Sequence, residues 1–159
     1  MGKKQKKSGA EPGVRMIAHN RRARFDYELG ERFEAGLVLR GSEVKSLRQG
    51  KGSLAEAYAT VDESDEGWLV NASIPEYAWT HHDNHAPSRR RKLLLHAREL
   101  HRIGIKLRER GYTLVPLRLY FRDARVKVEI ALARGKKTHD KRDTIRQRDQ
   151  DREMQRQLR

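Results

Sequence analysis

Apolar residues recur along this chain mostly at a spacing of two. In FEAGLVL, Phe33, Ala35, Leu37 and Leu39 share one face of a period-two pattern, which predicts a strand ended by Gly41. LAEAYATV and GWLVNASI read as two further strands around the acidic turn DESDEG, a hairpin signature because Asp and Gly favour tight reversal. TLVPLRLYF and RVKVEIALA follow as strands joined at RDA, and the second alternates through Val126, Val128, Ile130 and Leu132. Pro116 cannot donate to a ladder, so it predicts an edge position or a bulge. Helical spacing is rarer. SEVKSLRQG predicts a short helix with Ser42 as its cap, Val44 and Leu47 on one face, and Gly50 as its stop; Lys45 and Arg48 then share a polar side. In RKLLLHARELHRIGIKLRERG, Leu93, Ala97 and Leu100 form a stripe that Ile103 and Leu107 continue past Gly104, predicting two short helices bent at that glycine. EYAWTHHDNHA, between Pro75 and Pro87, has no period and reads as a loop.

These elements predict a mainly β fold with small helices. Five or six short antiparallel strands point to a closed or nearly closed barrel, because closure removes edges that so few strands could not otherwise hide. The 159-residue length suits one domain with extensions. Residues 1–15, rich in Lys, Gly and Ser, predict a mobile basic arm; 16–133 form the barrel; 134–159 form a basic tail poor in core-forming side chains.

Charge narrows the partner class. Thirty-six Lys and Arg against 22 Asp and Glu give a net charge of +14, a field that attracts phosphate. Nucleic acid is the leading partner. No apolar stretch is long enough to span a bilayer, and MGKKQKKSGAEPG has the charge of a secretory leader without its apolar segment, so no membrane association and a cytoplasmic location are expected. Without cysteine there are no disulfides or thiolate nucleophiles.

Three basic patches stand apart: Arg21, Arg22 and Arg24 beside Tyr27; Lys45 with Arg48; and Arg89, Arg90, Arg91 and Lys92. Arginine forks match phosphate bidentately and stack on bases, so three such patches favour RNA binding. Aromatic residues are only 6% of the chain, which favours recognition of a folded RNA's shape over reading a run of unstacked bases. HHDNH, with His81, His82, Asp83 and His85, matches no established zinc spacing, and neither a metal nor another cofactor is expected. A ribonuclease built on two histidines, such as His81 with His139, and a structural ribosomal protein are the competing classes.

In the tail, Arg148, Arg152, Arg156 and Arg159 recur at four, four and three residues, one basic stripe if the segment is helical. The like-charge pairs Arg148 with Arg152, Arg152 with Arg156, and Asp149 with Glu153 each cost about 0.2–0.5 kcal/mol. The expectation is a tail disordered alone and helical against RNA.

The strings IAHNRRAR, FEAGLVLRGSEVKSLRQGK, RKLLLH, GYTLVPLRLYF and VKVEIALARGKKTHDKRD resemble the small protein B family, the SsrA-binding proteins of bacterial trans-translation. The resemblance implies a barrel related to the oligonucleotide-binding (OB) fold with an unstructured C-terminal tail. It implies a non-enzymatic, monomeric adaptor that binds the tRNA-like domain of transfer-messenger RNA. With elongation factor Tu carrying the alanine-charged RNA, the adaptor reaches stalled ribosomes. By motif match, Asn20, Glu34 and Leu94 fall on or support the RNA surface, the alternative for Leu94 being core packing. Gly135, Lys136 and Lys137 lead into His139, Asp140, Lys141 and Arg142, which match the motif placed near the decoding centre, with the rest of the tail in the empty mRNA channel. Phe25 stands where the family usually has His, and Ala86 where it has an acidic residue.

Overall fold

The computed structural model describes residues 11–158, apart from the side chains of Thr138 and His139. Residues 1–10, most of the basic arm, and Arg159 lie outside the described residues. The elements in chain order are β1 (Val14–His19), α1 (Ala23–Asp26), β2 (Tyr27–Leu37), α2 (Gly41–Arg48), β3 (Tyr58–Val61), β4 (Gly67–Val70), β5 (Arg91–Leu94), α3 (Ala97–Arg108), β6 (Tyr112–Arg122), β7 (Arg125–Gly135) and α4 (Thr138–Gln157).

The alternation of β7 sets the core. Val126, Val128, Ile130 and Leu132 turn inward and meet Phe33 and Ala35 of β2, Leu69 of β4, Leu93 of β5 and Leu114 and Leu119 of β6. Each fully buried Leu or Ile contributes about 1.5–3 kcal/mol relative to exposure. The strand order is β1-β6-β3-β4-β5-β2-β7, and β7 returns to pair with β6, so six antiparallel strands close into a ring. β1 is not a member of that ring: it lies along β6 beyond the single β3 contact. α2 and α3 each drive one fully buried apolar side chain, Leu47 and Ile103, into the same core. A second, smaller cluster packs Ala23 of α1 on Val115, Leu117, Ala131 and Ala133, where the two strand alanines leave room for a short helix.

Several expectations change in detail. β1 starts at Val14, two residues before the expected onset at Met16, and Glu11 ahead of it pairs with Arg118 and Arg122. Pro116 marks a bulge: the β6–β7 register shifts between Pro116 and Arg118, while β6 is paired on both sides. RKLL is a strand, β5, held between β2 and β4, because Gly36 and Gly67 opposite it leave space for Leu94 and Leu93. α3 then runs as one helix, Ala97–Arg108, through Gly104 in place of the two expected. Ser42 does not cap α2. The Glu43 carboxylate accepts the Arg40 N–H at 2.8 Å, and the Ser42 hydroxyl bonds the His85 ring at 2.9 Å. Gly50, at φ +75°, ends that helix as expected.

The tract expected to lack structure alone is the helix α4. Its root is not isolated: Lys136 Nζ bonds the Arg24 carbonyl (2.8 Å) and Thr144 Oγ1 (3.2 Å), and Lys141 lies 3.8 Å from Asp26. Farther along, Asp143–Arg146 and Gln147–Asp151 pairs offset part of the like-charge repulsion.

Candidate nucleic-acid interface

The loop between β1 and α1 is anchored by one side chain. Asn20 donates its backbone N–H to the Leu117 carbonyl (2.7 Å) and its side-chain amide to the Pro116 carbonyl (3.0 Å), gripping β6 at its bulge. The anchor leaves Arg21, Arg22 and Arg24 exposed. A hollow of about 320 Å³ opens on one side of them, bounded by Arg24, Arg32 and Arg118, and another of about 300 Å³ on the other, bounded by Arg21, Arg22 and Ser53. Both have the size and charge to take backbone phosphates.

Beside this loop, the outer face of β2, β6 and β7 carries an arginine–carboxylate lattice. Glu34 accepts from the Tyr120 hydroxyl and from Arg122 (Nε at 3.0 Å, Nη2 at 2.9 Å). Arg122 also reaches Glu11 at 3.2 Å. Arg118 pairs with Glu129 at 2.8 Å, and Arg32 reaches the same carboxylate at 3.3 Å. The guanidinium groups of Arg118 and Arg122 flank the Tyr120 ring at 5.0 and 5.7 Å, and the ring is buried beneath them although it faces outward. Partial burial pushes the Glu34 carboxyl up, but the Tyr120 hydroxyl and Arg122 outweigh it and hold the group below its ordinary 4.5. Burial, then the bond to Glu34, pushes Tyr120 up to about 12. Glu34 thus orients the Arg122 guanidinium.

Leu94 is 52% exposed, so core packing does not explain it. It borders a groove of about 420 Å³ with Gly36, Leu37 and Val44, rimmed by Arg125 and Lys127. Lys45 and Arg48 are exposed together on α2 as expected. Lys92 is half-exposed and pairs with Glu66 at 2.8 Å.

Arg91 departs from the expectation. In β5 it shares inward parity with Leu93 and is fully buried, bonding Glu43 at 2.9 Å and the carbonyls of Ala72 (2.7 Å) and Pro87 (3.0 Å). Arg89 closes the other side of Glu43 at 2.8 Å. Burial lowers the Arg91 pKa and pushes Glu43 up, yet the bonds from Arg89 and Arg40 and the charge of Arg91 leave Glu43 below its ordinary value. Arg91 therefore ties β5 to α2 and does not reach an RNA ligand. His85, in the period-free loop, is also buried: its Nε2–H donates to the Ile74 carbonyl at 2.8 Å. His81 and His82 are exposed, and no three potential metal ligands converge among the described residues.

In the tail, Gly135 ends β7, Lys137 precedes α4, and Arg142, Arg148, Arg152 and Arg156 are exposed. Asp140 is half-buried, and its carbonyl accepts from the Thr144 hydroxyl at 2.9 Å. The imidazole of His139 and the whole of Arg159 fall outside the described residues. Phe25 lies under two tail cations, Lys141 at 6.0 Å and Arg148 at 5.7 Å, which brings the Arg21–Arg24 loop and the tail root together. Sequence reading passed over Arg118, Tyr120 and Arg122, although their period-two spacing in LRLYFR was a usable signal for an outward face.

Residues 17–159 match the sequence model of the SmpB protein family. The chain belongs to that family. Three SsrA-binding proteins illustrate the closeness: 56% identity to that of Beijerinckia indica (91% of this chain, 92% of the relative), 53% to that of Myxococcus xanthus (99% and 97%), and 52% to that of Bifidobacterium adolescentis (94% of each). Among solved structures, a chain reported under "tmRNA-SmpB: a journey to the center of the bacterial ribosome" is 46% identical, with a TM-score of 0.64 over 79% of this chain and 86% of that one. The SmpB relationship therefore spans both the barrel and the tail.

Proposed function

We propose that the protein is a non-enzymatic RNA-binding adaptor of trans-translation, one that binds transfer-messenger RNA and works on the ribosome. Family membership across residues 17–159 supports this reading. Within it, the barrel holds the tRNA-like domain through the Asn20–Arg24 loop, the Glu34–Arg122 pair and the Leu94 groove, with Lys45, Arg48 and Lys92 contributing charge. Its C-terminal motif, His139 to Arg142, occupies the decoding centre of a stalled ribosome, and the stripe Arg148, Arg152, Arg156 and Arg159 lies in the empty mRNA channel. The adaptor acts as a monomer in the bacterial cytoplasm, and elongation factor Tu joins it through the alanine-charged RNA. No helix among the described residues is long and apolar enough to cross a membrane.

One observation carries the division of labour: α4 has no buried residue among those whose side chains are described, whereas the barrel completes its own core. A helix that meets the barrel only at its root is completed by a partner. Truncation before Lys136 tests this. RNA affinity, measured by filter binding at fixed salt, should fall less than about threefold, while tagging of stalled chains in a reconstituted translation system should be lost. If truncation abolished RNA binding itself, the division between barrel and tail would be wrong.

A further inference from the structure

The loop between β4 and β5 has no part in the function so far, yet its base is fastened at several points. Ser46 donates to the Pro75 carbonyl at 2.6 Å, and Lys45 sits 5.5 Å over the Tyr77 ring. The Asn84 side chain spans the loop, accepting the Tyr77 N–H at 3.3 Å and donating to the Tyr77 carbonyl at 3.0 Å. Ser42 holds the far end through His85 at 2.9 Å. One face of α2 thus staples both ends of the loop, and its tip, Ala78 to Asp83, stands clear.

At that tip Trp79 is 75% exposed, the most exposed aromatic ring among the described residues. Tryptophan carries a large apolar surface whose exposure to water is unfavourable, so a ring held out on a fastened loop is a contact surface without its partner. His81 and His82 are exposed on the same tip, and Lys45 and Arg48 are exposed on the helix that fastens the loop. Glu76 and Asp83 are the acidic residues of this loop, and the chain as a whole carries +14.

We propose that Trp79 is a stacking platform for one unpaired nucleobase, with Lys45 and Arg48 taking the adjoining phosphates. The assignment rests on the RNA-binding reading above and adds a base contact to what was otherwise shape and phosphate recognition. Indole stacking accepts any base, because every base offers a π face, so the contact contributes affinity without sequence choice. The base belongs either to the tRNA-like domain or to ribosomal RNA, and the two are separated by testing each alone.

Tryptophan fluorescence and affinity decide the matter together. The full chain and its Trp79→Phe and Trp79→Ala variants are titrated, in separate arms, with the tRNA-like-domain RNA and with vacant ribosomes. Melting temperatures are compared first, and equal values are expected because the ring is 75% exposed. In the arm holding the base, wild-type fluorescence is quenched on binding, the quench is lost in Trp79→Phe, Trp79→Ala weakens affinity about tenfold, and Trp79→Phe keeps most of it. Unchanged Trp79→Ala affinity in both arms, with wild-type binding intact, overturns the stacking assignment alone. Equal loss in Trp79→Phe and Trp79→Ala without quenching also overturns it. Failure of the wild-type protein to bind either RNA would instead overturn the RNA-binding reading.

Discussion

The barrel and the tail use arginine in opposite ways. In the barrel, Arg91 is fully buried against Glu43 and two carbonyls, and Arg118 and Arg122 are locked into carboxylates on the outer face. In the tail, Arg142, Arg152 and Arg156 point into solvent, and Arg148, also exposed, lies over the Phe25 ring. The first arrangement spends arginine's five donors inside the molecule and fixes geometry; the second keeps them for a ligand. A basic residue therefore says little by itself. Its partners decide whether it shapes the fold or meets RNA.

Breaking the buried pair should show the largest effect. Arg91→Met removes the guanidinium and leaves Glu43 buried with Arg89 alone, which should destabilise the fold by about 3 kcal/mol in urea unfolding, in the range for stripping one partner from a buried ion pair. The wild-type pair also has a pH signature. Glu43 is held below its ordinary 4.5, so its contribution is complete above that value and is lost as pH falls through the depressed folded-state value. A change under 1 kcal/mol for Arg91→Met would show that this cation is not structural.

That prediction marks the limit of sequence reading. The alternation of Val126, Val128, Ile130 and Leu132 was legible because each residue obeys one rule, inward at period two. RRRKLLL was not, since four consecutive cations look alike and a short apolar run is compatible with helix or strand. Once Gly36 and Gly67 are known to flank Leu94 and Leu93, strand parity follows, and with it Arg91 inside and Lys92 and Leu94 outside. Exposure was legible where it is local, in the Arg21–Arg24 loop. The contacts that join distant segments were not: the motif picks out Glu34, but nothing in the sequence pairs it with Tyr120 and Arg122.

Tyr120→Phe sharpens the comparison at a smaller scale, because it opens one link of the outer-face lattice and leaves the core ring in place. Losing the hydroxyl should cost about 1 kcal/mol, a typical net hydrogen bond. The Glu34 carboxyl should titrate closer to its ordinary 4.5, followed by carbon-detected NMR. In the wild-type protein this phenol, raised to about 12, holds its contribution below the ordinary tyrosine value and loses it as pH climbs through the raised one, so the variant should lack that alkaline step. An unchanged Glu34 titration would mean that Arg122 alone sets the carboxylate.

At the joint between the two regions, Phe25→Ala removes the ring that Lys141 and Arg148 share. Exposed cation–π contacts contribute about 0.5–1 kcal/mol, and Lys136 still grips the Arg24 carbonyl, so global stability should drop by only a few tenths of a kcal/mol. The local effect should be larger than the global one. Amide exchange across residues 140–148 should accelerate while the β6 and β7 amides keep their rates. Equal acceleration in the strands would mean that the tail root supports the barrel.

The smallest stability effect belongs to the far end of α4. Arg152→Ala and Arg156→Ala remove exposed side chains that touch nothing in the barrel and relieve like-charge i, i+4 repulsion, so the unfolding midpoint should stay within about 0.5 kcal/mol of wild type and helicity should hold or rise slightly. If these arginines are kept for a partner, that indifference disappears when ribosomes are present: tagging should fall and its salt dependence flatten, since each lost phosphate contact removes a share of counterion release. A protein indifferent to both substitutions in solution and on the ribosome would leave the tail's charge without a function, and the contrast between locked and free arginines would reduce to a difference in burial.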